Sequence, residues 1–277
     1  MKTKIARTAR TYGTASGWWP IGVFLAAVVT FIFGYHRYFI LDWVPLADSA
    51  SNAMLVVEAK HFALLHGNYS RVGFYHPGPH LFYLMAAGEY LFHDLLGIAK
   101  ATEAAQQLAL ICLSVVILQI VERVYRDLSG DVLISLCATA ATALCVVAKL
   151  PDAFTSVWVP YTYITGGLLF FLGGAALIAG HFKWLWVFFL GGAILVSGHA
   201  SFLGLVPMMG LILLGAVAAL QPRTRSLSGI RTLAAAHRSS VIASAVILAI
   251  LLLPMLLDVA LHFPGQFAKY LEFSGKQ

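Results

Sequence analysis

Residues 79–98 read PHLFYLMAAGEYLFHDLLGI, an apolar stretch of spanning length that carries Glu89 and His93 one helical turn apart and Asp94 beside them. Whether this stretch crosses a bilayer decides the sidedness of everything after it. If it crosses, Arg123, Arg126 and the acid-free loop 221–240, with Arg223, Arg225, Arg231 and Arg238, all face outward. If it does not, those arginines lie on the cytoplasmic side together with Lys2, Lys4, Arg7 and Arg10, as the positive-inside rule requires. A carboxylate at the centre of a spanning helix also costs about 2.5 to 3.5 kcal/mol on insertion scales. The sequence therefore predicts that 79–98 lies on the outer membrane surface as an amphipathic helix.

Composition sets the class. With 60% hydrophobic and 11% charged residues in 277, the chain has more apolar side chain than a soluble core of that length hides, which makes it a polytopic membrane protein. The net charge of +6 sits in short basic segments between apolar spans, so it reports orientation and no nucleic-acid partner is expected. Cys112, Cys137 and Cys145 fall inside apolar spans without metal-ligand spacing and read as packing residues. The basic start MKTKIARTAR leads into a span with no small-residue cleavage site after it, which predicts a retained first helix.

Apolar segments at 19–40, 102–122, 131–149, 160–179, 184–198, 200–220 and 241–262 approach the ~20 residues needed to cross, the fifth being short. The expected fold is all-α, with seven transmembrane helices, N-terminus inside and C-terminus outside. Residues 1–277 form a single membrane-embedded module: 1–18 a cytoplasmic basic tail, 41–101 an outer loop with interfacial helices, 221–240 a basic cytoplasmic loop. Glycine pairs at 166, 167, 173, 174, 191 and 192 have the small-residue spacing of close helix packing in lipid. Pro207 and Pro254 predict kinks.

Chemistry concentrates in 41–84, LDWVPLADSASNAMLVVEAKHFALLHGNYSRVGFYHPGPHLFYL, where acids, histidines, an arginine, glycines and prolines crowd together. Within it Ser49 to Leu65 reads as an interfacial helix, with Met54, Leu55, Val57, Phe62 and Leu65 toward lipid and Asn52, Glu58 and Lys60 in polar surroundings. Asp48 is placed to be its N-cap, and His66, Gly67 and Asn68 to close it. His76-Pro77-Gly78-Pro79 is a rigid turn that extends neither helix. Glu89 and His93 are spaced to pair on one helical face.

AspSer at 48–49, HisGlyAsnTyr at 66–69, TyrHisProGlyPro at 75–79 and PheTyrLeuMet at 82–85 resemble the N-terminal module of the GT-C glycosyltransferases, in the branch of bacterial aminoarabinose transferases and protein O-mannosyltransferases. The similarity is concentrated in 42–98 and is topological beyond it. The resemblance implies a sugar transfer from a polyprenyl-phosphate donor to a glycan, lipid or protein acceptor on the outer face of a bacterial cytoplasmic membrane. It assigns Asp48 as general base, since a carboxylate beside an acceptor hydroxyl can take its proton as that oxygen attacks the anomeric carbon with inversion. Arg71 and His76 are candidates to neutralise the departing phosphate, with Tyr75 in the same motif. Asp152 in the second outer loop, His199 between two spans and Lys269 in the outer tail are further substrate-binding candidates. A lone histidine in a helix connection is more often structural, which is the preferred reading of His199, and lipid-headgroup contact or loop packing is an equal role for Arg71.

This chain departs from the family where a second acid commonly follows the first: Ser49 stands there. No cofactor is expected, and a divalent metal, which an acidic pair would hold, is left open. Family members continue with further helices or a periplasmic domain, whereas this chain stops at Lys276-Gln277, as expected of a short member or of an N-terminal portion. A transporter or flippase for lipid-linked sugars would place charged or broken helices near the midplane, and these spans are nearly uncharged there. A non-catalytic membrane scaffold is the other alternative, favoured by the missing second acid.

Overall fold

The computed structural model describes residues 45–274. The tail 1–18, the expected span 19–40 and residues 41–44 of the outer loop lie outside the described residues. Among those described the chain is all-helical, and one isolated antiparallel bridge pairs Tyr69 with Tyr75. In chain order the helices are α1 (Asp48–Lys60), α2 (His80–Gly88, continuing as a π-helix over Glu89–Leu95), α3 (Thr102–Ser129), α4 (Val132–Lys149), α5 (Tyr161–Ile178), α6 (Leu185–Gly198), α7 (Phe202–Leu220), α8 (Leu227–Ala236), α9 (Arg238–Leu261) and α10 (Gly265–Ser274).

Five of these, α3, α4, α5, α7 and α9, are long and apolar enough to cross a membrane, and they coincide with expected spans. The short fifth expected span is the 14-residue α6. The surface agrees with lipid contact: Leu133, Leu144, Leu211 and Ile250 are each more than 60% exposed on α4, α7 and α9. Exposed leucines in that number on long apolar helices mark a multi-pass membrane protein.

The bundle is locked where α5 and α6 cross. A Cβ on Gly191 would stand 2.2 Å from the Phe170 backbone nitrogen and 2.6 Å from the Gly166 carbonyl oxygen, and one on Gly173 would stand 2.5 Å from the Phe188 nitrogen. Only hydrogen fits at those positions, so the two backbones approach closely, as the glycine spacing predicted. Local signals set the helix ends. Gly130 at φ +70° closes α3 with its N–H on the Arg126 carbonyl, and Asp131 then caps α4 by accepting the Ile134 N–H at 3.0 Å.

The connections sort into two ends. At the loop end the Gly78 N–H donates to the Ser197 carbonyl at 2.6 Å, tying the His-Pro-Gly-Pro turn to the last turn of α6. At the same end the Tyr163 hydroxyl donates to the Gly198 carbonyl, and Gln266 of α10 meets Tyr75. At the other end Asp127 accepts from the Trp184 indole at 2.6 Å and pairs with Lys183 at 2.7 Å, while the Gln221 amide donates to the Ile178 carbonyl. That second end, holding Arg123, Arg126, Lys183 and the arginines of 221–240, is the basic end.

Residues 79–98 do not traverse the bundle. From Gly78 at the loop end, α2 runs antiparallel to the first turns of α3, with Gly88 against Ala105 and Ala109 and Leu81, Phe82 and Met85 in one cluster with Leu110. Helix α3 is 28 residues long, roughly 42 Å at 1.5 Å per residue, against a hydrocarbon layer of ~30 Å. Helix α3 is thus longer than the hydrocarbon is thick, and α2 packs on its first turns.

Three local expectations are corrected. Asp48 is not an N-cap: Ala47 occupies that position at φ +52°, Asp48 is already helical, and its carboxylate caps no N–H. The Ser49 hydroxyl takes over the local bonding, accepting the Leu46 N–H and donating to the Leu46 carbonyl. Helix α1 ends at Lys60 rather than Leu65, because Phe62 turns the chain at φ +56° and the Ala63 N–H returns to the Glu58 carbonyl. Leu55 and Asn52 are buried, Leu55 in the α1–α2 core rather than toward lipid.

Glu89 does not pair with His93. The two residues share the π-helical segment, but other partners claim both side chains. Buried Glu89 instead accepts from the Gln106 amide at 2.6 Å and pairs with Lys60 at 3.3 Å, while His93 Nδ1 meets the Ala99 carbonyl. Lys60 also bonds Asp94 at 2.7 Å, so one lysine ties the end of α1 to the π-helix.

Candidate functional site

Three segments converge at the loop end on one open cleft of about 670 Å³. The first turns of α1 supply Asp48, Ser51 and Asn52; the loop between α1 and α2 supplies Asn68, Tyr69, Ser70, Arg71 and His76; the approach to α5 supplies Trp158, Val159 and Pro160. The loop holds its shape through a small hairpin. The Gly67 N–H donates to the His76 carbonyl at 2.7 Å, His76 N–H to the Asn68 carbonyl at 2.9 Å and Ser70 N–H to the Phe74 carbonyl at 2.7 Å. A Cβ on Gly78 would meet the Ser197 Cβ at 2.5 Å, so glycine lets this hairpin sit flush on α6.

Asp48 and Arg71 reach across the mouth. Their charged atoms are 4.0 Å apart with side chains 66% and 92% exposed, so the pair is a weak, water-screened contact. Both groups keep most of their hydrogen-bonding capacity for a third party. Asn68 is the opposite case: its Oδ1 is sealed from solvent without a hydrogen-bond partner, in a side chain that lines the cleft. A buried amide oxygen without a donor costs about 1–3 kcal/mol.

His76 is buried on the inner wall. The Ala200 N–H points at its Nδ1 at 3.4 Å, which leaves the proton on Nε2, and its ring stacks on His199 with centroids 4.2 Å apart. Burial, with the nearby His199, lowers its pKa to about 4. At neutral pH it therefore offers an N–H and no charge, which revises the expectation that it helps Arg71 neutralise a phosphate. His80, next on α2, is likewise lowered to about 4 by burial. Its Nδ1 meets the Ser197 hydroxyl at 2.8 Å, and Ser197 spends its own proton on the Ala193 carbonyl at 2.6 Å. His80 is thus the Nδ1–H donor, and its bare Nε2 is enclosed without a partner.

These two histidines give a pH signature. Their unfolded forms take a proton near 6.5, the folded forms only near 4. Between those values the unfolded state binds more protons, so stability is complete above pH 6.5 and falls as pH drops toward 4. Thermal unfolding in detergent should show the midpoint falling between pH 6.5 and 5, before most carboxylates titrate, with His76→Phe giving a shallower fall. An unchanged midpoint over that window contradicts the buried neutral assignment.

The remaining predicted residues are not in the cleft. Tyr75 stacks its ring on His66, centroids 3.8 Å apart, and its backbone is held by α10, the N–H donating to Gln266 Oε1 and the carbonyl accepting from the Tyr270 hydroxyl. Its role is to seat the hairpin. Asp152 is an exposed turn residue whose carbonyl accepts from the Thr155 and Ser156 N–H groups, while Trp158, Val159 and Pro160 from the same segment face the cleft. His199 sits behind His76, with Nδ1 against Ser201 at 2.8 Å. Lys269 is exposed on α10. Asn52, Asn68, Tyr69 and Trp158 were not singled out from sequence as site residues. Their signal was membership in the polar stretch and in the segment before Pro160, which does not say which side chains turn inward.

Among the described residues Asp48 is the one carboxylate lining the cleft. The Ser49 hydroxyl, at the position of the family's second acid, is turned back onto Leu46. No family model, no curated protein and no solved structure matches the chain.

Proposed function

We propose that the protein is an integral membrane glycosyltransferase of GT-C type, which moves a sugar from a polyprenyl-phosphate carrier to an acceptor at the outer face of a bacterial cytoplasmic membrane. The observation that carries this reading is the cleft itself. One carboxylate, one guanidinium, a neutral imidazole N–H, two amides and the rings of Tyr69 and Trp158 share about 670 Å³ at the loop end. The positive-inside rule, applied to the basic end, supports an outward-facing cleft.

Each group has a task in such a transfer. Asp48 takes the proton of the acceptor hydroxyl as its oxygen forms a bond to the anomeric carbon. The bond from that carbon to the phosphate oxygen breaks, and the lipid phosphate leaves with the electron pair. Arg71 offsets the charge gathering on the phosphate through a two-pronged contact. His76 Nε2–H and the Asn68 amide meet sugar or phosphate oxygens and sugar hydroxyls, and Tyr69 and Trp158 form an apolar platform for the ring.

Lipid-linked sugars in cells lacking the gene test the reading. One polyprenyl-phosphate sugar should accumulate and return to its normal level on complementation. Lipid-linked pools that are identical with and without the gene overturn the assignment.

A further inference from the structure

The basic end carries a second site, of different chemistry. Helix α8 lies over a groove of about 300 Å³. Its walls are Leu177, Leu185, Leu214, Val217, Leu233 and Val241, with Thr224 and His237 at the rim. Leu214 also borders a second apolar groove of about 340 Å³, lined by Phe188 and Gly210 and by Leu248 of α9. The two follow one another because α9 packs along α6 while making almost no contact with α7. Water is a poor occupant, since each buried water needs two to four polar partners, and these walls offer almost none. A hydrocarbon chain is the matching occupant.

Charge selects the headgroup. Residues 221–240 contain four arginines and no acid. Three of them are immediate neighbours of groove-lining residues: Arg223 beside Thr224, Arg231 beside Ile230, Arg238 beside His237. All three are exposed. The fourth, Arg225, is spent on the last turn of α7, donating to the Ala218 and Ala219 carbonyls. Three exposed cations flanking groove-lining residues, one of them on the amphipathic α8, match a phosphodiester carrying net negative charge.

We propose that this groove binds an anionic phospholipid, with one acyl chain under α8 and the headgroup phosphate among Arg223, Arg231 and Arg238. The proposal is independent of the transferase reading, because it uses none of the cleft residues. Bound lipid holds α8 against the bundle and couples the basic end to membrane composition.

The test uses the full chain, purified in mild detergent and titrated with phosphatidylglycerol or phosphatidylcholine, with bound lipid counted by native mass spectrometry. Phosphatidylglycerol should bind at least about tenfold more tightly, and Arg223→Ala and Arg231→Ala should each weaken it by about fivefold while leaving phosphatidylcholine unchanged. Ala234→Phe, which plugs the groove, should abolish the bound lipid. Equal affinity for the two lipids overturns the headgroup assignment. Undiminished phosphatidylglycerol binding by Ala234→Phe overturns the groove. Should that variant not fold, the exposed arginine variants decide the question alone.

Discussion

Asp48→Asn should slow sugar transfer by about 10²- to 10⁴-fold, the range contributed by a positioned general base, with little change in stability. The second half of that expectation comes from the geometry. The Asp48 side chain is 66% exposed, and its nearest charged partner is 4.0 Å away, while it caps no helix N–H. Replacing the carboxylate with an amide of the same shape removes the proton acceptor and leaves the fold alone. Pulse-labelling the lipid-linked sugar and following its decay in cells expressing wild type or variant measures the loss directly. A decay rate within threefold of wild type, at equal protein level, removes Asp48 from the chemistry.

Gly191→Val should destabilise the bundle by about 3 kcal/mol, the upper end of overpacking costs, and lower the yield of folded protein. The added atoms meet backbone rather than flexible side chain, the Phe170 nitrogen at 2.2 Å and the Gly166 oxygen at 2.6 Å. Neither can move unless α5 and α6 separate. Gly167→Ala is the matched control: nothing lies within 4 Å of its Cβ position, and alanine is the better helix former by about 1 kcal/mol. Thermal unfolding in detergent should therefore place the two variants on opposite sides of wild type. Equal midpoints would mean that the α5–α6 crossing does not hold the bundle together.

The helices were legible because lipid imposes a simple rule. Backbone groups in hydrocarbon have no water to bond, so apolar runs of spanning length become helices, and α3, α4, α5, α7 and α9 coincide with such runs. The α5–α6 contact was legible for a related reason: glycine pairs at helical spacing have few purposes in a membrane other than close approach. The extramembrane part was harder. The π-helix over Glu89–Leu95 leaves no trace in periodicity, and the partners of Glu89, Lys60 and Gln106, come from other helices. The early end of α1 depends on Phe62 adopting a positive φ, which its residue type does not announce.

For the site, the crowding of polar residues in 41–84 located the cleft, and Asp48, Arg71 and His76 meet there. Tyr75, Asp152, His199 and Lys269 do not line it. A motif reports which residues are near each other in sequence, whereas the folded hairpin decides which side chains turn into the cleft. His76 and Asn68 go to the cleft, and Tyr75 goes to His66 and α10. The helical spacing of Phe267, Tyr270 and Leu271 was present in the tail, but nothing in it pointed to Tyr75 as the partner.

The most direct measurement is photo-crosslinking from the cleft in living cells. A photoreactive amino acid at Tyr69, which lines the cleft and is 52% exposed, should capture a polyprenyl-phosphate species identifiable by mass spectrometry. The same amino acid at Lys269, exposed on α10 outside the cleft, should not. Capture of that species from both positions alike, or from neither, would contradict a cleft built for a lipid-phosphate sugar.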